Sequence, residues 1–240
     1  MTSDLLAGIE LVVFDKDGTL IDFHAMWGGW VRSLATDLDR ATGLDVGDAL
    51  FDVLGADRAT GLVQPHGLLA ATPMARIREV VVNAIIGDGL DPAAAEAAVG
   101  QAWRPPDPVG LAQPLADLRR LFDSLQARGI RIAIATTDDR GPTERTLAAL
   151  GIAERVASLA CADDGIRPKP APDPVLHICA ELAIDPAATA VVGDSPADLE
   201  MGKAAGARLV VGVLTGVGDR ATLSGQAHLV LESVAELVPA

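Results

Sequence analysis

Asp15-Lys16-Asp17-Gly18-Thr19 sets two acids two residues apart, directly after the apolar run Ile9 to Phe14. One carboxylate in such a pair can attack phosphorus while the other handles the leaving-group proton. Gly18 permits a tight turn there. Asp and Gly are also ordinary turn residues, so the stretch alone reads equally well as a surface turn. Thr136-Thr137-Asp138-Asp139 follows a second apolar run, Arg131 to Ala135. A hydroxyl at this point can donate to a phosphate oxygen, or it can cap a helix. Lys169 stands between prolines in Arg167-Pro168-Lys169-Pro170, on a stiff backbone, where it can neutralise an acyl phosphate or simply be solvated. Gly193-Asp194-Ser195-Pro196-Ala197-Asp198 carries two more acids, four residues apart, at the start of a helical pattern. Hard oxygen ligands beside a phosphate suit Mg2+, and acids at a helix start also suit the helix dipole.

Each of these stretches follows an apolar run of the kind that forms a fully buried parallel strand. Such runs occur at Ile9 to Phe14, Arg131 to Ala135, Val156 to Cys161, Thr189 to Gly193 and Ala207 to Val213, with His228 to Leu231 as a candidate sixth. Helical patterns separate them. Leu115, Leu118, Leu121, Phe122 and Leu125 share one helical face before Gly129, and Thr143 to Leu150, Pro174 to Leu182 and Pro196 to Ala205 follow. This alternation predicts an α/β fold with a doubly wound parallel sheet. In an open parallel sheet, ligands bind beyond the carboxyl ends of the strands. Four independent turns would otherwise have to place these groups at one end of one sheet by accident.

More than a hundred residues separate the first and second runs, and most of them read as helix. Trp27, Trp30, Val31, Leu34 and Leu38 fit one helical face, Ile77, Val80, Val81 and Ala84 another, and Ala93 to Trp103 a third. The segment is too long for a crossover and predicts an inserted α-helical cap domain over residues 23–108, the core domain being 1–22 and 109–240. The Pro-rich stretch Arg104 to Pro108 reads as the return linker. Polar residues of the cap, Arg58, Gln64, His66, Arg76, Arg78 and His24, are candidate substrate contacts, with Gly61 to Leu69 as a specificity loop. Trp27 and Trp30 read as cap core.

The 240 residues are half apolar but only 3% aromatic, with no Tyr, so the core must be built from Ala, Val, Leu and Ile. A net charge of −14 with no basic run argues against nucleic acid or an anionic membrane as partner. Any anion site must then be built locally, from lysine, backbone amides and a metal. Cys161 and Cys179 suggest buried free thiols, not a disulfide framework. No basic leader precedes Gly8 and no apolar run approaches membrane-spanning length, so the expectation is a cytoplasmic protein, monomer or homodimer.

The stretches Val13 to Leu20, Thr136, Lys169 and Val192 to Asp198 resemble, in order, the four motifs of the haloacid dehalogenase (HAD) superfamily. The general likeness is to its phosphoglycolate-phosphatase-like group with a helical C1-type cap. The resemblance implies a Rossmann-like core and a HAD-type phosphoric monoester hydrolase acting on a small phosphorylated metabolite. It implies Asp15 as nucleophile, Asp17 as general acid/base, and Thr136, Thr137 and Lys169 as phosphate or substrate contacts. It further implies Mg2+ held by Asp15, Asp17 (through its carbonyl), Asp194 and Asp198, the last completing or orienting the shell. Thr137 departs from the family, which often carries Asn there. Sugar-phosphate mutases of the same superfamily tend to carry His twelve residues past the nucleophile, where this chain has Trp27. Haloacid dehalogenases proper lack the second acid, which this chain has as Asp17. A non-catalytic phospho-accepting switch uses similar groups, but its phosphorylated Asp lies further along the chain and it lacks a large cap.

Overall fold

The structure is a computed structural model and describes residues 5–64, 68–72, 74–107 and 109–238. Its chain divides into two compact units, Met1–Asp22 with Pro108–Ala240, and Phe23–Asp107.

The first unit is built on six parallel strands, β1 (Leu11–Phe14), β2 (Arg131–Ala135), β3 (Ser158–Ala160), β4 (Thr189–Gly193), β5 (Leu209–Val213) and β6 (Leu229–Leu231), in the order β3-β2-β1-β4-β5-β6. All neighbouring pairs run parallel, with Phe14 level with Ile134 on one side and Val192 on the other. Parallel strands bury both faces, which explains why β1 and β4 are continuous apolar runs. Successive side chains point to opposite faces. Val12 and Phe14 therefore pack with Leu118, Leu121, Phe122 and Leu125, while Leu11 and Val13 pack with Val175, Ile178 and Met201 on the other side. Phe14 stacks on Phe122 with ring centroids 5.6 Å apart.

The helices of the second unit are α1 (Phe23–Thr42), α2 (Gly47–Leu54), α3 (Leu68–Ala71), α4 (Met74–Gly87) and α5 (Pro92–Ala102). Around the sheet lie α6 (Leu118–Ala127), α7 (Arg140–Leu150), α8 (Asp173–Leu182), α9 (Pro196–Ala204) and α10 (Arg220–Ser224). Trp27 and Trp30 are buried in the helical unit, as their spacing predicts. Trp30 meets Trp27 and Trp103 edge-on, and its indole N–H donates to the Arg104 carbonyl at 2.6 Å.

Several local expectations need correction. Leu115 lies outside α6, because the Asp117 side chain accepts the Arg120 amide and starts the helix at Leu118. On α4 the buried face is Ile77, Val81, Val82 and Ile85, not one through Val80 and Ala84. Ile85 is larger than Ala84 and takes the core, and Val82 lies on the same face. Helix α7 begins three residues before Thr143, since Pro142 in its first turn loses no intrahelical hydrogen bond. Strands β2 and β4 keep the bounds of the apolar runs that announced them, while β1, β3, β5 and β6 are shorter than theirs. Among the described residues, no helix is long and apolar enough to cross a membrane.

Candidate active site

Strand β1 ends at Phe14, and Asp15 follows in the next position, its amide still donating to the Val192 carbonyl at 2.8 Å. The central strand of the sheet thus fixes the backbone of Asp15. Chain turning begins at once. Leu20 and Ile21 both donate to the Lys16 carbonyl, and Gly18 donates to the Ile21 carbonyl. Gly18 has φ +87°, in the left-handed region, and a Cβ there would lie 2.5 Å from Asp194 Oδ2. Only glycine fits this turn for both reasons.

Lys169 and Asp198 meet Asp15 from two other strand ends. Lys169 Nζ donates to Asp15 Oδ1 and to Asp198 Oδ1, each at 2.6 Å. Asp198 sits in the first turn of α9 in a capping box with Ser195, whose amide and hydroxyl donate to Asp198 Oδ2 at 3.1 and 2.6 Å. Both oxygens of Asp198 are therefore engaged. Asp194 Oδ2 accepts the Val217 amide at 2.7 Å and Oδ1 accepts the Thr19 hydroxyl at 3.3 Å. Carboxylate oxygens of Asp15, Asp194 and Asp198 lie within 4.8 Å of one another.

Three buried carboxylates around one ammonium leave an excess of two negative charges if all ionise. Burial raises the Asp15 carboxyl above its ordinary range against the pull of Lys169, and Asp198 raises it further. Burial raises Asp194 well above that range, with Asp15 and Asp198 adding to it. Burial alone would lower Lys169, but Asp15 and Asp198 outweigh it and hold its proton firmly. Asp15 Oδ2 is buried with no hydrogen-bond partner among the described residues. An orphaned carboxylate oxygen in an all-oxygen cluster with two excess charges fits a hard divalent cation such as Mg2+.

A second cluster adjoins the first. Lys16 Nζ lies 2.6 Å from Asp17 Oδ1 and 3.0 Å from Asp138 Oδ2, with the Lys16 side chain 2% exposed. Burial pushes the Asp17 carboxyl up to about 7 although Lys16 pulls it down, and Asp138 adds to the rise. The Asp138 amide donates to Thr136 Oγ1 at 3.1 Å, so that oxygen is an acceptor and the hydroxyl proton is available to another group. Thr136 is buried; Thr137 is exposed beside it.

The structure thus brings together Asp15, Lys169, Asp194 and Asp198. It places Asp17 and Thr136 in the adjoining Lys16–Asp138 cluster and leaves Thr137 outside both. In the helical unit, Arg76 pairs with Glu79 and Arg78 with Glu96, while His24 Nδ1 accepts the Val63 amide at 3.1 Å. Gln64 and Arg58 are exposed at the end and middle of a short turn from Gly55 to Gln64. His66 lies outside the described residues. Sequence reasoning gave no role to Lys16, Asp138 or the Thr215–Gly218 loop. That loop, after β5, supplies the Val217 amide to Asp194 and the Thr215 hydroxyl to the Gly18 carbonyl at 2.6 Å. The alternation of Gly216 and Gly218 after a buried strand was its available signal.

The profile of the family described as haloacid dehalogenase-like hydrolase matches residues 9–206. A phosphoglycolate phosphatase of Rhodospirillum rubrum is 31% identical over 204 residues, covering 84% of this chain and 78% of that protein. An N-acetylmuramic acid 6-phosphate phosphatase of Pseudomonas aeruginosa is 27% identical, covering 83% and 80%. A crystal structure of a HAD family hydrolase from Deinococcus radiodurans, with bound phosphate and sodium, superposes with a TM-score of 0.66 at 23% identity, covering 96% of this chain and 94% of that one. The chain belongs to the haloacid dehalogenase-like hydrolases. Within them it is phosphoglycolate-phosphatase-like, and the expected class, phosphoric monoester hydrolase, agrees with the names of these relatives.

Proposed function

We propose that this chain is a Mg2+-dependent phosphatase that hydrolyses a small phosphorylated metabolite through an aspartyl phosphate on Asp15. The observation that carries the reading is Lys169 held between Asp15 and Asp198, beside Asp194, at the carboxyl end of the central strands. Phosphoryl transfer needs positioning and charge neutralisation more than exotic groups. Asp15 would attack phosphorus, and the bond from phosphorus to the leaving oxygen would break. Asp17 would give that oxygen a proton and then take one from the water that hydrolyses the aspartyl phosphate. A carboxyl pushed up to about 7 suits both roles near neutral pH. Lys169 would offset charge on the transferring group, and the Thr136 hydroxyl would donate to one of its oxygens. Asp15, Asp194 and the Asp17 carbonyl would hold the cation, with Asp198 orienting Lys169. The cation supplies charge neutralisation at the phosphoryl group.

The phosphate bound in the Deinococcus radiodurans relative supports a phosphoryl ligand for this fold. The helical unit would serve as the cap that excludes water. The acid pair argues against a dehalogenase, whose halide needs no proton. Phosphate release with Mg2+ across phosphorylated metabolites tests the reading, with 2-phosphoglycolate and sugar phosphates first. No release from any ester would overturn it.

A further inference from the structure

The Lys16 side chain is 2% exposed, yet it ends in an ammonium. Taking an ammonium out of water is costly unless it is paired, and a buried pair seldom adds stability over apolar packing of the same shape. The position therefore calls for a reason other than stability. Lys16 contacts two carboxylates from different strand ends, Asp17 after β1 and Asp138 after β2. Asp138 is itself fixed on the backbone. Its amide donates to Thr136 Oγ1 at 3.1 Å, and its carbonyl accepts the Ala162 amide at 2.9 Å from beyond β3. Among the described residues, the backbone around Asp17 is held by the turn through Ile21, and the hydrogen bond given for its carboxylate comes from Lys16.

We propose that Lys16 is a positioning residue that ties Asp17 through Asp138 to the Thr136 loop. The strut fixes the distance between the proton of the catalytic acid and the hydroxyl that holds the phosphoryl group. It engages Oδ1 of Asp17 and leaves Oδ2 to face the leaving oxygen. A general acid contributes roughly 100- to 10,000-fold only when its proton is aimed at the departing atom. This inference rests on the reading of Asp17 as acid/base.

The test compares kcat/KM for 2-phosphoglycolate and glucose 6-phosphate, whose alkoxides need a proton, with p-nitrophenyl phosphate, whose phenolate does not. Asp17→Asn should lower the alkyl esters far more than the aryl ester. Lys16→Met should do the same, shifting the ratio by about tenfold or more. Asp138→Asn, which keeps the shape and lacks the charge, should shift it in the same direction by less. The double variant Lys16→Met with Asp17→Asn should be no worse on alkyl esters than Asp17→Asn alone. It also removes a carboxylate along with the cation, so it keeps the comparison open if Lys16→Met alone folds poorly. Equal losses on both ester types, or losses that multiply in the double variant, would overturn the strut. An unchanged ratio in Asp17→Asn would instead overturn Asp17 as the acid, and the strut with it. Failure of the unaltered enzyme on all three esters would overturn the phosphatase reading itself.

Discussion

Lys169 Nζ lies 2.6 Å from Asp15 Oδ1, although 154 residues separate the two in the chain. The same nitrogen holds Asp198 Oδ1 at 2.6 Å. One ammonium thus keeps two buried carboxylates from repelling each other apart. Lys169→Met should lower kcat/KM by about 100-fold or more, because it removes charge stabilisation at the phosphoryl group. It should also lower Tm, and more in EDTA than in Mg2+. A Tm loss independent of Mg2+ would show that the cation and Lys169 do not share the same carboxylates.

Asp194 should matter chiefly for the cation. Asp194→Asn should weaken Mg2+ binding by tenfold or more in calorimetry, and EDTA should stop the unaltered enzyme until Mg2+ is restored. Mg2+ should raise the Tm of the unaltered protein by mass action, and raise it less in the variant. Full phosphate release in chelator would contradict the metal site.

Gly18→Ala should reproduce part of that defect from the backbone side. At φ +87° alanine is strained by about 1–3 kcal/mol, and its Cβ would lie 2.5 Å from Asp194 Oδ2. Either Asp194 moves or the turn opens. The expected result is lower Tm together with weaker Mg2+ binding. A variant with lower Tm and unaltered Mg2+ affinity would show that Asp194 does not depend on this turn.

How much of this was legible beforehand depended on whether a signal was local. Strands buried on both faces announce themselves as apolar runs, so β1, β2 and β4 and the acids that follow them could be read directly. The pairing of Lys169 with Asp198 could not, because it depends on which strands are neighbours in the sheet. Lys16 was hidden for a different reason. A lysine between two aspartates reads as a solvated turn, and only the bend after Phe14 folds its stem inward to Asp138. On α4, Val80 and Val82 flank the same stripe, and sequence spacing alone favours neither.

The acid cluster should make stability depend on pH when Mg2+ is absent. Asp15, Asp17 and Asp194 all have folded values above the ordinary carboxylate range, and Asp17 is pushed up to about 7. For a group raised in the folded state, the stabilising contribution is full below the unfolded value and is lost as pH rises through the folded value. Across pH 5.5 to 8 that contribution is being lost. Asp57, Asp123 and Asp164 are lowered instead, so they act only at more acidic pH. Lys16 and Lys169 are raised and lose their contribution only at strongly alkaline pH. In EDTA, Tm should therefore be lower at pH 8 than at pH 5.5, by about 5 °C or more. Mg2+ should flatten the profile, and Asp17→Asn should flatten it in part. A Tm that rises with pH in EDTA would contradict the burial of these carboxyls.

The fate of the phosphoryl group separates hydrolysis from transfer to a sugar hydroxyl. On the proposed reading, both routes would begin with attack by Asp15 and both would use Asp17. A hydrolase must let water reach the aspartyl phosphate while a base is aimed at it. A mutase must shield that intermediate until a sugar oxygen returns. Trp27 stands where mutases of the superfamily tend to carry His, and its ring is packed against Phe23 and Trp30. An indole there cannot act as a base toward a sugar hydroxyl, since it only donates. Water should therefore be the acceptor. Turnover in 18O-labelled water should give inorganic phosphate carrying one solvent oxygen, over many turnovers and already in the first. Asp15 should stay unlabelled, because water attacks phosphorus and not the carboxyl carbon. Asp15→Asn, folded and binding Mg2+, should release no phosphate at all. Rapid formation of an isomeric sugar phosphate with little free phosphate would establish the mutase route instead. Label found in the Asp15 side chain would mean that water attacks the acyl carbon.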